Sequence, residues 1–142
     1  VTRPTKAYTD EERELLLRAA RGHWAGGAVR WMLTTGCSRA EVCALTWAGI
    51  AGLATDHPLH DEIKARRGRA TAEARATGRV LDRQPVFPGF YGQRLKTDAF
   101  RNTLRLLLHN QRRKEESARH RREAEDRPDG KVYAREHARA DG

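Results

Sequence analysis

The sequence predicts a mainly α-helical bundle. Leu, Val, Ala and Phe recur at helical spacing in separate segments of the chain. Two helix-start signatures stand at Thr9-x-x-Glu12 and Ser38-x-x-Glu41, each a Ser or Thr with a Glu three residues on. Glycines close the patterns at Gly22, Gly36 and Gly78.

Val1 to Ala7 reads as an extended arm carrying Arg3 and Lys6, either a linker to a preceding domain or a plain terminus. Thr9 caps the first helix. Asp10, Glu11 and Glu12 set negative charge at the positive end of its dipole, and Leu15, Leu16, Ala19 and Ala20 supply the buried face. Gly26-Gly27 opens a strongly apolar second helix, Ala28-Val29 to Leu33, which stops at Gly36. The third helix is expected from Arg39 to about Trp47, with Val42, Ala44 and Leu45 facing the second. Ala48-Gly49-Ile50-Ala51-Gly52 breaks it. Residues 53–57 hold no β-branched alternation and no lysine, so no hairpin is expected there.

Pro58-Leu59 leads into a fourth helix through Asp61-Glu62-Ile63 to Thr77, rich in Ala and Arg and ended by Gly78. It has few large apolar residues and is expected to be thinly anchored. Gln84 to Gly89 is a turn-bounded apolar pair. Thr97 is expected to cap the fifth helix, with Phe100, Leu104, Leu107 and Leu108 as its core stripe. Arg101, Arg105, His109 and Arg112 form one basic face on that helix. Such a face can track a phosphate backbone, or it can be an ordinary solvated face. From Arg113 the apolar pattern fails. The expected organisation is therefore one domain over residues 1–112 and a charged helical extension or tail over 113–142, fraying near Asp126 to Gly130.

The 142 residues carry 28 Lys and Arg against 19 Asp and Glu, a net charge of +9. That balance favours a polyanionic partner, most simply nucleic acid, over acidic or neutral surfaces. The excess is concentrated. Residues 64–83 hold seven basic side chains (Lys64, Arg66, Arg67, Arg69, Arg75, Arg79 and Arg83) against Glu73 and Asp82. Cys37 and Cys43 flank a helix start with neither zinc-pair nor disulfide-framework spacing, which suits buried thiols in a reduced cytoplasm. No long apolar run points to a membrane. His57, His60 and Asp61 lie close in sequence, but His57 precedes the proline and falls off the helix. They read as surface histidines near a turn, with no metal site and no cofactor expected.

The stretch Leu33 to Trp47, with Thr35-Gly36, then Arg39, Glu41 and Leu45-Thr46-Trp47, resembles the first conserved box of the tyrosine recombinases, the phage integrases. The opening at Thr9 with its acidic cluster and leucines is similar to the start of that family's catalytic domain. Val86-Phe87-Pro88 is similar to a spot before a later family helix. The resemblance implies a partial, truncated catalytic core with DNA as partner, and other recombinase subunits as further partners. It also implies that the strand-cutting machinery is lost. The family's first catalytic arginine falls at Ser38, while Arg39 stands one residue late, about 100° around a helix. The hairpin lysine is missing, and Lys64 is the nearest lysine. The family's His-x-x-Arg box is matched only in letters, by His109 and Arg112, and a nucleophile is suggested only by the isolated Tyr133. No catalytic set is intact. The expected function is phosphate-backbone DNA binding through Arg39, Lys64, Arg66, Arg67, Arg69, Arg101, Arg105 and Arg112, in a catalytically inactive remnant of a DNA-integration protein. One alternative is a small helix-turn-helix regulator built on Met32, Gly36 and Val42, reading DNA through Arg39. Another is a charged fragment that binds protein alone.

Overall fold

The computed structural model describes residues 8–126. The arm at 1–7, Tyr133 and the rest of 127–142 lie outside the described residues. Helix α1 (Asp10–Ala19) starts where its capping box places it. The Thr9 hydroxyl accepts the Glu12 amide at 3.1 Å, and the Glu12 carboxylate accepts the Thr9 amide at 3.1 Å. These two bonds satisfy amides that a helix start leaves without partners. Leu15 and Leu16 bury the inner face, and Gly22 turns the chain with a φ of 70°. Helix α2 (Gly26–Thr35) follows so tightly that a Cβ on Gly26 would collide with the Ala20 carbonyl oxygen. It is buried along nearly its whole length, through Ala28, Val29, Trp31, Met32 and Leu33. Gly36 ends it in the left-handed conformation, its N–H donating to the Met32 carbonyl at 3.0 Å.

Helix α3 (Arg39–Ala44) opens on the second capping box, Glu41 N–H to Ser38 Oγ at 3.1 Å and Ser38 N–H to Glu41 at 3.2 Å. It is shorter than the sequence suggests, ending at Ala44 rather than near Trp47. The cause is a long-range pairing. Leu45 turns extended, and the Val86 N–H donates to its carbonyl at 3.0 Å. The Trp47 N–H donates to the Gln84 carbonyl at 3.2 Å, and Thr46 and Pro85 form an isolated antiparallel bridge. The inward face also differs. Val42 and Cys43 are buried, Leu45 is half-buried and Ala44 is exposed, because α3 packs against α5 as well as α2.

A short 3₁₀ turn (Ala48–Ile50) leads to α4 (His60–Thr77), closed by Gly78 at φ 72°. Only Ile63 and Ala74 of α4 are buried. A second 3₁₀ turn (Leu81–Arg83) delivers Val86 and Phe87 into the core. The last helix, α5 (Thr97–Asp126), begins one residue earlier than a Thr97 cap would allow. The Phe100 N–H already bonds to the Lys96 carbonyl at 2.9 Å. Phe100, Leu104 and Leu108 are buried and Leu107 half-buried, as the stripe predicts. The helix runs unbroken past residue 112, where Arg18 of α1 grips Glu115 at 2.8 Å. One core joins α1, α2, α3 and α5 around Leu16, Val29, Val42, Trp47, Phe100 and Leu104, with Val86 and Phe87 filling the side nearest α4. The described residues are mainly helical and contain no strand. No helix among them is long and apolar enough to cross a membrane.

Candidate nucleic-acid interface

Helix α4 is thinly anchored to the core, with Ile63 and Ala74 as its buried residues. Its 18 residues span about 27 Å at helical rise. Its outward sectors carry cations because the sequence offers almost nothing apolar to bury. Lys64, Arg67 and Arg75 share a sector about 80° wide on a helical wheel, and all three are exposed. Arg69 is exposed on the other flank, beside Glu73, and Arg79 and Arg83 follow just beyond the helix. None of these six makes an ion pair among the described residues. The acid nearest the start of this run, Glu62, is engaged instead by Arg30 of α2, whose Nε donates to it at 2.9 Å.

Arg66 is not part of that surface. Its guanidinium lies over the Phe87 ring, 5.0 Å from the centroid, and one nitrogen reaches the Val86 carbonyl at 3.5 Å. A Cβ on Gly27 would collide with it, so the bare glycine of α2 makes its berth. Its Nε is buried with no hydrogen-bond partner. Burial lowers its pKa, with Arg69 and Arg30 pushing the same way and Glu62 opposing. Arg66 thus fills a packing position between α4, α2 and Phe87, where the sequence suggested a free phosphate contact.

On α5, Arg101, Arg105, His109 and Arg112 are all exposed. Arg101 leans to Asp98 at 3.4 Å, and Arg112 is taken up by Glu12 of α1 at 3.0 Å, which leaves Arg105 as the arginine of this face without an acid partner among the described residues. Glu12 and Glu115 are held below the usual carboxylate range. The leading causes are the Thr9 amide for Glu12 and the Arg18 guanidinium for Glu115. Arg39 is half-buried beside Tyr8. Burial pushes the Tyr8 hydroxyl above its ordinary value, and the Arg39 charge pulls it partly back. Ser38, which the sequence resemblance sets at an arginine position, spends its hydroxyl on the α3 cap. The structure therefore gathers Lys64, Arg67 and Arg69 on one helix. It ties Arg112 to Glu12 of α1 and places Arg39 on α3 near Tyr8.

The remaining candidates are accounted for locally. His57 stacks on Trp31 at 5.4 Å and accepts the Leu59 amide at 3.0 Å, while His60 sits 3.2 Å from Asp61. No three His, Cys, Asp or Glu side chains among the described residues converge as metal ligands. Cys43 is buried, and burial raises its thiol pKa; Cys37 is only half-buried, and both are free thiols.

Two features escaped sequence reasoning. Phe90 and Tyr91 are strongly exposed, 4.9 Å apart edge to face, with Trp24 6.1 Å from Phe90. Their flanking glycines, Gly89 and Gly92, were the only signal. The second is a cleft of about 180 Å³ between α4 and the Gln84–Pro88 segment, with Arg66, Arg69, Arg79 and Trp47 on its walls. It is assembled from segments far apart in the chain, and no local pattern marks it. No protein-family model matches this chain, and no curated protein or solved structure matches it either.

Proposed function

We propose that this chain binds duplex DNA through its phosphate backbone, as an inactive remnant of a tyrosine-recombinase catalytic framework. The observation that carries the binding reading is α4, an exposed helix whose Lys64, Arg67, Arg69 and Arg75 have no acidic partners among the described residues. Cations left free in this way release condensed counterions when they meet a phosphate array, which is the main source of non-specific affinity. Arg105 on α5 adds to the same field. The remnant reading rests on the resemblance of the Leu33–Trp47 box, where the chain turns at Gly36 and enters a helix capped by Ser38, the residue at the position the resemblance gives to an arginine. Phosphoryl transfer by that family works through positioning and charge stabilisation, and loss of single members of such a unit already costs orders of magnitude.

The helix-turn-helix alternative draws less support. At six residues α3 is about 9 Å long, and its Arg39 is half-buried near Tyr8. Fluorescence anisotropy with a labelled duplex at low salt tests the proposal. Binding that falls steeply with salt, and that weakens in a Lys64→Ala/Arg67→Ala variant, is the expected result. No binding at low salt defeats it, and partner binding that persists at high salt without DNA affinity favours a protein-only role.

A further inference from the structure

Three buried side-chain donors have no protein partner among the described residues: Trp31 Nε1, Trp47 Nε1 and Arg66 Nε. Trp47 and Arg66 belong to the wall of one cleft, the space of about 180 Å³ beside α4. Native proteins rarely leave buried donors unsatisfied, and although both atoms are sealed from solvent, their side chains line the same cleft, where a ligand with acceptor atoms would need only a small side-chain shift to meet them. The charge around them has one dominant sign. Arg66, Arg69 and Arg79 line the cleft against a single acid, Glu73. Arg66 is desolvated with Arg69 and Arg30 as like-charged neighbours, and Glu62, the carboxylate that would offset it, is engaged by Arg30. Among the described residues Arg66 meets only the Val86 carbonyl, weakly at 3.5 Å, and the Phe87 face. A partly buried cation in that position gains most from a compact anion with several acceptor oxygens. The seat is also built. Gly27 supplies the space for the guanidinium, and the Phe87 ring lies against it, 5.0 Å from centroid to Cζ.

We propose that this cleft is a binding site for a phosphate group, held by Arg66 from inside and by Arg69 and Arg79 from its rim. The volume suits a phosphate with a small ester attached, and planar guanidinium donors match its oxygens in pairs. The site does not depend on the DNA-binding reading. A free phosphate ester and a backbone phosphate present the same chemistry, and the experiment separates them.

The test is a titration of the full chain with inorganic phosphate, and separately with a nucleoside 5′-monophosphate. The readout is the indole N–H resonance of Trp47 in a ¹H–¹⁵N spectrum, with chloride at matched ionic strength as control. A saturable shift specific to phosphate is expected. Arg69→Ala and Arg79→Ala, both at exposed positions, should each weaken it about tenfold, the usual worth of a charge-assisted hydrogen bond. Retention of the thermal midpoint shows that those variants still fold. Arg66→Lys, which keeps the charge but not the paired donors, should also weaken binding. Displacement of bound phosphate by a short duplex marks the backbone as the source, and phosphate binding unaffected by duplex marks a free ester. A Trp47 shift that chloride reproduces, no saturation in the tens of millimolar, or full affinity in the Arg69→Ala/Arg79→Ala variant overturns the proposal. Because Lys64 and Arg67 lie on the other flank of α4, their DNA test can fail while this one succeeds, and the reverse.

Discussion

One substitution, glycine to alanine, should have opposite signs at two helical positions of this chain. Gly68 lies in the middle of α4, and a Cβ built there meets nothing within 4 Å. The new methyl group removes unfolded-state freedom and raises helix propensity at no steric cost. Gly68→Ala should therefore stabilise by about 0.5–1 kcal/mol. Gly26 opens α2, where a Cβ would strike the Ala20 carbonyl oxygen. That oxygen is backbone at the end of α1 and accepts the His23 amide at 3.1 Å, so it cannot swing aside as a side chain would. The propensity gain at this first helical position is small, and overpacking costs about 1–3 kcal/mol. Gly26→Ala should lose about 2 kcal/mol net. For a chain of this size each kcal/mol moves the thermal midpoint by about 4 °C. Chemical denaturation and thermal scans of both variants read the difference. A neutral or stabilised Gly26→Ala would show that α1 and α2 do not meet as described. A destabilised Gly68→Ala would show that the outer side of α4 is covered.

Lys64→Ala/Arg67→Ala removes two exposed cations, so the slope of log affinity against log salt on duplex DNA should become shallower by about 1.8; an unchanged slope places the contacts elsewhere. Ser38→Ala deletes the hydroxyl that accepts the Glu41 amide and should cost about 1 kcal/mol in urea denaturation, with no change expected in the slope of that transition. Glu12, Glu41 and Glu115 all have folded pKa values below the ordinary 4.5, chiefly through capping amides and the Arg18 guanidinium. Their contribution is present above the unfolded pKa and is lost as pH falls through the folded values. The thermal midpoint should thus drop below about pH 4.5. A Glu41→Gln variant should show a smaller drop, and an identical profile would remove the α3 cap from the account.

The parts of the fold that local chemistry dictates were legible. Both capping boxes, the glycine ends of α2 and α4, and the Phe100–Leu104–Leu108 stripe each depend on residues within a turn or two of one another. The end of α3 was not legible. Nothing between Ala44 and Trp47 forbids another turn of helix, and the chain leaves it because Leu45 pairs with Val86, 41 residues on, and Trp47 with Gln84, 37 residues on. The inward face of α3 was misjudged for a related reason. Packing on two sides buries Cys43 next to Val42, whereas a single-partner pattern would have buried Ala44.

Arg66 shows most clearly why charge read along the sequence overstates a binding surface. It stands among Lys64, Arg67 and Arg69 and has the same composition signal as they do. Helical geometry turns it toward the Ile63–Ala74 side, and two distant residues decide what it meets there. Gly27 opens space for it, and Phe87 offers its ring face. A larger residue at position 27 would meet the guanidinium and press it outward, toward the exposed position that the sequence reading expects. The same logic separates Arg112 from Arg105 on α5, because Glu12 happens to face one and not the other. A polyanion would sense the set of cations that the fold leaves without an acid. On that basis Arg101 and Arg112 drop out of the expected surface, the exposed cations of α4 and Arg105 stay in it, and Arg66 moves from the surface into the wall of a cleft.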